Sequence, residues 1–499
     1  MDTDEITLTT YNQPHFVHVV IKTETDKKPA FYSPTFPFHV HFLYFEFEIL
    51  FPIQNPNLMT DRRTFIKSTG IIAGGLWLAP SLLKAKQRVS ASDRVRVALI
   101  GCNNMGFGIL RHHIALPEVE CVALCDIDQN VLDRRIAEVE TATGKKPERY
   151  TDFRILLERR DVDAVIIGTP DHWHCLIAVA ACQAGKDVYV EKPMANTIGE
   201  CELMVDTKNQ YNQIIQVGQQ QRSGQAFIEA RDLVKSGYIG KIRKVNIWSN
   251  FNYGLGNFIQ PRTAVPEGVD YDFWLGPASS RSFNPNRFHG SWRHFWDYGG
   301  GLMSDWGVHL LDMAIWVEKN PAVPSKVLTY AANVDKENRD RDTFDTMNVL
   351  YPKKDFLINY DMNGGLQTGP YGKPYGIGYV GEKGTLIVNR DGYDIYPEWD
   401  TEAKSPKIEA KTLEGMADSH NLHVANFVEC IKTRDQPICP PEAGRIAALH
   451  AHIPNIAARI GVEELIWNES KKEFTGNAAA NELIWPNYRA PWILPEITT

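Results

Sequence analysis

Residues 164–195 read AVIIGTPDHWHCLIAVAACQAGKDVYVEKPMA, and this stretch decides the fold. Two short apolar runs, Ala164–Ile167 and Asp187–Val190, enclose a segment in which Leu176, Ala178, Val179, Ala181 and Ala184 have helical spacing. Strand, helix and strand in that order form one crossover unit of a parallel sheet. The first strand stops at Gly168-Thr169-Pro170 and the second at Glu191-Lys192-Pro193. Both polar ends therefore lie on the carboxyl edge of the sheet, where open α/β sheets bind ligands. A lysine held there between a carboxylate and a proline stands where a cofactor's reactive ring can meet a substrate, so Lys192 is the expected centre of an active site.

Upstream, residues 94–100 read RVRVALI and residues 101–108 read GCNNMGFG. A strand, a tight turn and a helix start make the first unit of a dinucleotide-binding domain, with backbone amides and the helix dipole meeting a pyrophosphate. Gly101, Asn103, Met105 and Gly106 belong to this turn. Asn103 replaces the usual middle glycine; it tolerates left-handed backbone angles better than most residues but brings a side chain near the phosphates. A second strand, 122–126, ends at Asp126, 20 residues after Gly106, the place of an acid that accepts from the adenosine ribose hydroxyls. Its charge repels a 2'-phosphate and neither Ile127 nor Asp128 compensates, so NAD is expected rather than NADP.

Helices over 131–143 and 152–160 and a last strand near 214–218 complete five or six parallel strands, a Rossmann sheet. The boundary is expected near residues 219–222, giving a nucleotide-binding domain over 94–222. From 223 to 499 the periodicity changes. Runs at 242–248, 327–332, 347–351, 356–360 and 385–388 alternate as half-buried strands, predicting an α+β second domain built on an open-faced, mostly antiparallel sheet. The overall class is α/β.

The formal charge of -8 and pI near 6.0 provide no basic footprint, which argues against a nucleic-acid partner. The eight cysteines include no CxxC pair, so buried thiols are expected rather than a disulfide framework or a metal site. Residues 61–67, DRRTFIK, precede an apolar stretch at 71–83 and then Val89-Ser90-Ala91. They resemble a twin-arginine export signal, which predicts a periplasmic protein with no membrane segment in its mature form. Residues 59–93 are read as that signal and its linker. Translation is expected to begin at Met59, with residues 1–58 a disordered upstream extension; an extra β module, suggested by their aromatic, β-prone run, is the alternative.

Residues 297–312, DYGGGLMSDWGVHLLD, bring Asp305, His309 and Asp312 to one helix face by their spacing. A carboxylate beside a histidine strengthens it as a base. A metal site lacks companion ligands; a structural hydrogen bond and general base catalysis both stay open on these residues alone.

The turn from Gly101 to Gly106, Asp126, Thr169-Pro170 with His174, Glu191-Lys192-Pro193 and Asp305-x-x-x-His309 occur in one order. Together they resemble the Gfo/Idh/MocA oxidoreductases over about residues 94–470. Residues 271–277, YDFWLGP, and 292–298, WRHFWDY, are similar to the exported bacterial branch. The resemblance implies a nicotinamide cofactor between two domains, sugar or cyclitol substrates, and a homo-oligomer paired through the open sheet. It implies that Lys192 polarises the reacting hydroxyl, that His309, steadied by Asp305, takes its proton, and that Thr169, Pro170, His174 and Glu191 lie at the cofactor. Arg222, Arg293, Trp296 and Tyr298 are candidate sugar contacts. A branch holding NAD tightly for transient oxidation in glycoside cleavage or epimerisation is an alternative reading, as is a sugar-binding protein without turnover.

Overall fold

The computed structural model describes residues 7–13, 16–22, 94–415 and 418–496. The chain divides into two compact units, Met1–Arg88 and Val89–Thr499. In the first, strands Thr7–Gln13 and Phe16–Lys22 pair antiparallel. Both segments are rich in the β-branched residues that favour extended pairing. The rest of 1–58 and the export signal lie outside the described residues. No described helix is long and apolar enough to cross a membrane.

The second unit opens with the expected parallel sheet. Its strands are β1 (Val95–Ile100), β2 (Val119–Cys125), β3 (Glu148–Tyr150), β4 (Ala164–Ile167), β5 (Asp187–Val190) and β6 (Ile215–Val217). They stand in the order β3-β2-β1-β4-β5-β6, so the chain reverses direction across the sheet between β1 and β4, where a ligand crevice forms. Helices α1 (Asn104–Ile114), α2 (Gln129–Thr143), α3 (Phe153–Leu157), α4 (His174–Gln183) and α5 (Ile198–Tyr211) provide the crossovers. The helix expected over 152–160 is shorter: Asp152 caps its start, accepting from the Arg154 amide, and the Glu158 and Arg159 amides close its end by turning back three residues to the Ile155 and Leu156 carbonyls. The central strands are buried along their whole length, as a sheet covered on both faces requires.

After α6 (Gln225–Lys235), the second domain forms a ten-stranded sheet. Its strands are β7 (Ile242–Phe251), β8 (Lys326–Ala332), β9 (Thr346–Pro352), β10 (Leu357–Gly364), β11 (Tyr375–Gly381), β12 (Gly384–Asn389), β13 (Gly392–Pro397), β14 (Thr412–Glu414), β15 (Glu464–Asn468) and β16 (Glu473–Phe474). The order is β14-β13-β12-β11-β7-β10-β9-β8-β15-β16, antiparallel except where β7 meets β10. Helices α7 (Tyr271–Leu275) and α8 (Val308–Trp316) belong to this domain, and Tyr379 on β11 donates to the Met313 carbonyl at 2.8 Å, tying α8 to the sheet.

Helix α9 (Ser419–Thr433) leaves the second domain and returns to the first. Its Val424, Phe427 and Val428 join one apolar cluster with Leu99, Ile109, Leu124 and Tyr189, so the nucleotide-binding core draws on residues far beyond 222. Helix α10 (Pro441–Ile460) follows, its Gly444 set against Val217 of β6. All eight cysteines are buried free thiols.

Candidate active site

The turn after β1 is built to exclude side chains. Gly101 has φ +86, and a Cβ on it would stand 2.7 Å from the Gly168 carbonyl carbon and the Thr169 nitrogen. A Cβ on Gly106 would lie 2.1 Å from the Gly101 oxygen. The turn, α1 and the end of β4 thus meet backbone to backbone. No side chain caps α1, which leaves its first amides for an anion. Asn103 takes extended backbone, φ -91, and the left-handed angle falls on Asn104, φ 34. Asn103 also turns across the crevice to donate to His289 Nδ1 at 3.1 Å, while His289 Nε2–H donates to Asp128 at 2.6 Å.

Asp126 stands just beyond β2. Its carboxylate accepts from the Cys102 amide at 2.7 Å and the Asp128 amide at 3.0 Å. Burial raises its pKa, and the two amides counter that rise. These features fit a dinucleotide: an uncapped helix start, a cradle that a Cβ would fill and an oriented acid. Thr169 Oγ1 adds a buried hydroxyl with no partner among the described residues.

One cavity runs from this turn to the second domain. It is lined by Gly101, Asn103, Met105, Asp126 and Thr169-Pro170 at one end, and by Lys192, Arg293, Asp305 and His309 at the other. Its volume of ≈ 300 Å³ suits a small-molecule cleft. Lys192 Nζ donates to Asp305 Oδ1 at 2.5 Å and to the Asp305 carbonyl at 2.9 Å. Arg293 Nε and the Tyr253 hydroxyl donate to the same carboxylate at 3.1 and 2.9 Å. Burial opposes ionisation of Asp305, but Lys192 and Arg293 overcome it and hold the carboxyl well below the usual range.

Asp305 lies in a widened π turn, Met303–Gly307, that leads into α8. The expected bond from Asp305 to His309 is not among its hydrogen bonds, because two cations and a phenol outcompete a neutral imidazole for the carboxylate. His309 is buried with Nδ1 unpartnered among the described residues. Burial first, then Lys192 and Arg390, push its pKa well below the ordinary value. A neutral ring in this position is a proton acceptor.

His174 lines the cavity but serves the scaffold: its ring lies 2.8 Å from the Pro193 carbonyl and 2.9 Å from that of Thr169, bracing the ends of β4 and β5. Glu191 accepts from Gln220 at 2.7 Å, and burial pushes its pKa up to about 7. Three expected sugar contacts are corrected. Arg222 pairs with buried Asp312 at 2.7 Å, which also takes Asp312 away from His309. Tyr298 is fully buried against Trp274 and His172, and Trp296 packs on Phe344 and Arg459. None of the three lines the cavity. The aromatic run 271–298 forms a small core of its own, in which apolar burial outweighs ligand contact.

Residues 95–219 match the oxidoreductase family's NAD-binding Rossmann fold, and residues 223–494 match its C-terminal alpha/beta domain. The chain belongs to the Gfo/Idh/MocA oxidoreductase family. A glycosyl hydrolase family 109 protein of Shewanella pealeana is 32% identical over 201 residues, covering 36% of this chain. The chain spans less than half of that relative, 44% of its length. Aldose-aldose oxidoreductase from Caulobacter crescentus, solved with glycerol, superposes with a TM-score of 0.57 at 19% identity, over 75% of this chain and 99% of that one. The WlbA dehydrogenase from Bordetella pertussis, solved with NADH and UDP-GlcNAcA, gives 0.53 at 21% identity over 75% and 99%. These two likenesses are of fold.

Several residues of this Gfo/Idh/MocA oxidoreductase's cavity escaped the sequence reading. Asp171, Trp306, His289, Arg390 and His420 all line it. Asp171 sits inside the Thr169–His174 run, so its position was visible and only its exposure to the cavity was not. His289 and Arg390 lie in loops of the second domain, and no local pattern marks them.

Proposed function

We propose that the protein is an NAD-dependent oxidoreductase acting on a secondary hydroxyl of a sugar, glycoside or cyclitol. The observation that carries this reading is that Lys192 and His309, from different domains, line one cavity continuous with the Gly101 turn and Asp126. A nicotinamide bound there would accept hydride from the substrate carbon. Lys192, held by Asp305, would donate a hydrogen bond to the reacting oxygen and orient it. His309, neutral and lining the cavity, would take the hydroxyl proton. Asp126 supports NAD over NADP, since its charge opposes a 2'-phosphate.

A second reading, transient oxidation that leads to glycoside cleavage or epimerisation, is favoured by Asp171. Its carboxyl is buried at the cavity and makes no hydrogen bond among the described residues. Burial pushes its pKa well up against the pull of Arg293 and Lys192. Such an acid could protonate a departing glycosidic oxygen. We also propose export by the twin-arginine route and homo-oligomerisation. Denaturing the purified protein and identifying the released cofactor tests the first reading, together with absorbance changes on adding sugars. No nicotinamide released and none taken up would sink it. Glycoside cleavage without net reduced cofactor would favour the second.

A further inference from the structure

The cavity has a cation that the chemistry above does not use. Arg390 occupies the turn between β12 and β13 and lines the cavity wall. Its guanidinium carbon stands 4.5 Å from the centre of the Trp306 ring. Trp306 is itself stacked on Phe251 at 4.5 Å, meets Tyr375 tilted at 4.7 Å, and lies 5.8 Å from the His309 ring. Arg390 and His309 therefore both pack against the Trp306 ring. Lys192 and His309 line the same cavity as Arg390.

The other cations of this end have partners. Lys192 and Arg293 share Asp305. Arg390 makes no salt bridge or side-chain hydrogen bond among the described residues. The acid next to it in sequence is turned away, since the Asp391 carboxylate accepts from Asn389 Nδ2 at 3.0 Å and the Asp391 amide donates back to Asn389 at 2.9 Å. That reciprocal pair also pins the turn, so Arg390 is presented from fixed backbone. Glu191 is satisfied by Gln220.

Arg390 is half-buried at the cavity wall with no counterion beside it among the described residues, and burial lowers its pKa. A planar fork stacked on an aromatic ring is preorganised for a carboxylate, which it meets with two parallel hydrogen bonds. We propose that the sugar taken at this site is acidic, a uronic acid or its glycoside, and that its carboxylate binds Arg390 while a ring hydroxyl faces Lys192 and His309. This rests on the oxidoreductase reading for the hydroxyl end only. The carboxylate end stands on the unpaired guanidinium.

Titration calorimetry on the NAD-loaded protein tests it with D-glucuronate and D-galacturonate against D-glucose and D-galactose, in wild type and Arg390→Gln. At least one uronate should bind about 50-fold more tightly than its neutral counterpart, and Arg390→Gln should remove about that factor. Arg390→Lys, which keeps charge without the fork, should fall between. Equal affinity for acid and neutral sugars, binding of neither uronate, or a preference that survives Arg390→Gln overturns the proposal. The wild-type comparison decides even if the variant fails to fold. Cofactor reduction followed in the same samples separates the two readings. Uronate selection without reduction sinks the oxidoreductase and leaves the acid site, whereas reduction by neutral sugars with no acid preference does the reverse.

Discussion

The Lys192 ammonium is clamped to Asp305 through both the carboxylate, at 2.5 Å, and the backbone carbonyl, at 2.9 Å. A lysine at the edge of the parallel sheet is thus fixed by a widened turn of the other domain. Lys192→Met keeps the bulk and removes the ammonium, leaving Asp305 to Arg293 and Tyr253. Turnover should fall about a thousandfold while the bound cofactor is retained. Steady-state kinetics beside a measurement of cofactor content checks this, and a rate within about tenfold of wild type would remove Lys192 from the chemistry.

His309 should govern the acid side of the pH profile. Burial, Lys192 and Arg390 place its pKa well below 6.5, so it stays the neutral acceptor under mildly acidic conditions. The acidic limb of kcat/KM is expected below the usual histidine range, and His309→Asn should lower turnover about a hundredfold or more. A limb at or above 6.5 that persists in His309→Asn would belong to another group.

Stability should decline as the solution is acidified from neutrality. Burial lowers His113, His174, His294 and His452 to about 4, and His172, His423 and His450 to about 3. Between about pH 6.5 and 4 the unfolded chain takes up protons that the folded one refuses, so stability falls with pH. Glu191 and Glu200, raised to about 7 by burial, and Asp126, Asp171, Asp312 and Asp342, also raised by burial, act in the opposite sense but are fewer than the buried rings. Urea midpoints at pH 7.5 and 5 compare the two, and an unchanged midpoint would contradict the buried-histidine assignment.

The Arg222–Asp312 pair predicts a purely structural phenotype. Both side chains are almost fully buried, and removing one leaves the other's charge unpaired. Asp312→Ala or Arg222→Ala should cost about 3–5 kcal/mol, read as a lowered denaturation midpoint. Sugar affinity measured below that midpoint should be unchanged.

His289 bridges Asn103 on the phosphate turn and Asp128 beyond β2, so it closes over the crevice. His289→Ala should speed release of bound nicotinamide cofactor about tenfold, roughly the worth of one charge-assisted hydrogen bond. Stopped-flow displacement by excess cofactor measures it, and an unaltered off-rate would show that the bridge does not restrain the ligand.

The two ends of the cavity were unequally legible in the sequence. The cofactor end is written in local spacing, since Gly101, Gly106, Asp126 and Glu191-Lys192 sit at strand ends that apolar runs reveal. The reacting end is assembled from contacts distant in sequence. Helical spacing suggested Asp305 beside His309, but only the folded chain brings Lys192, Arg293 and Tyr253 to that carboxylate. Arg222 and Asp312 each looked available to the site because neither carries a local sign of the other. Tyr298 and Trp296 showed the same ambiguity, aromatic runs being as suited to a core as to a sugar. Arg390 was hidden by its place in a tight turn whose sequence specifies only the bend.

The return of α9 to the nucleotide-binding core makes the two lobes interdependent as folding units. A fragment ending at residue 222 would leave the apolar face around Leu99, Leu124 and Tyr189 open to water, and such a truncation should aggregate rather than yield a portable cofactor-binding module. Ribosomal synthesis meets the same constraint: the first lobe cannot finish until its last helix has been made, so both lobes should melt in a single cooperative transition.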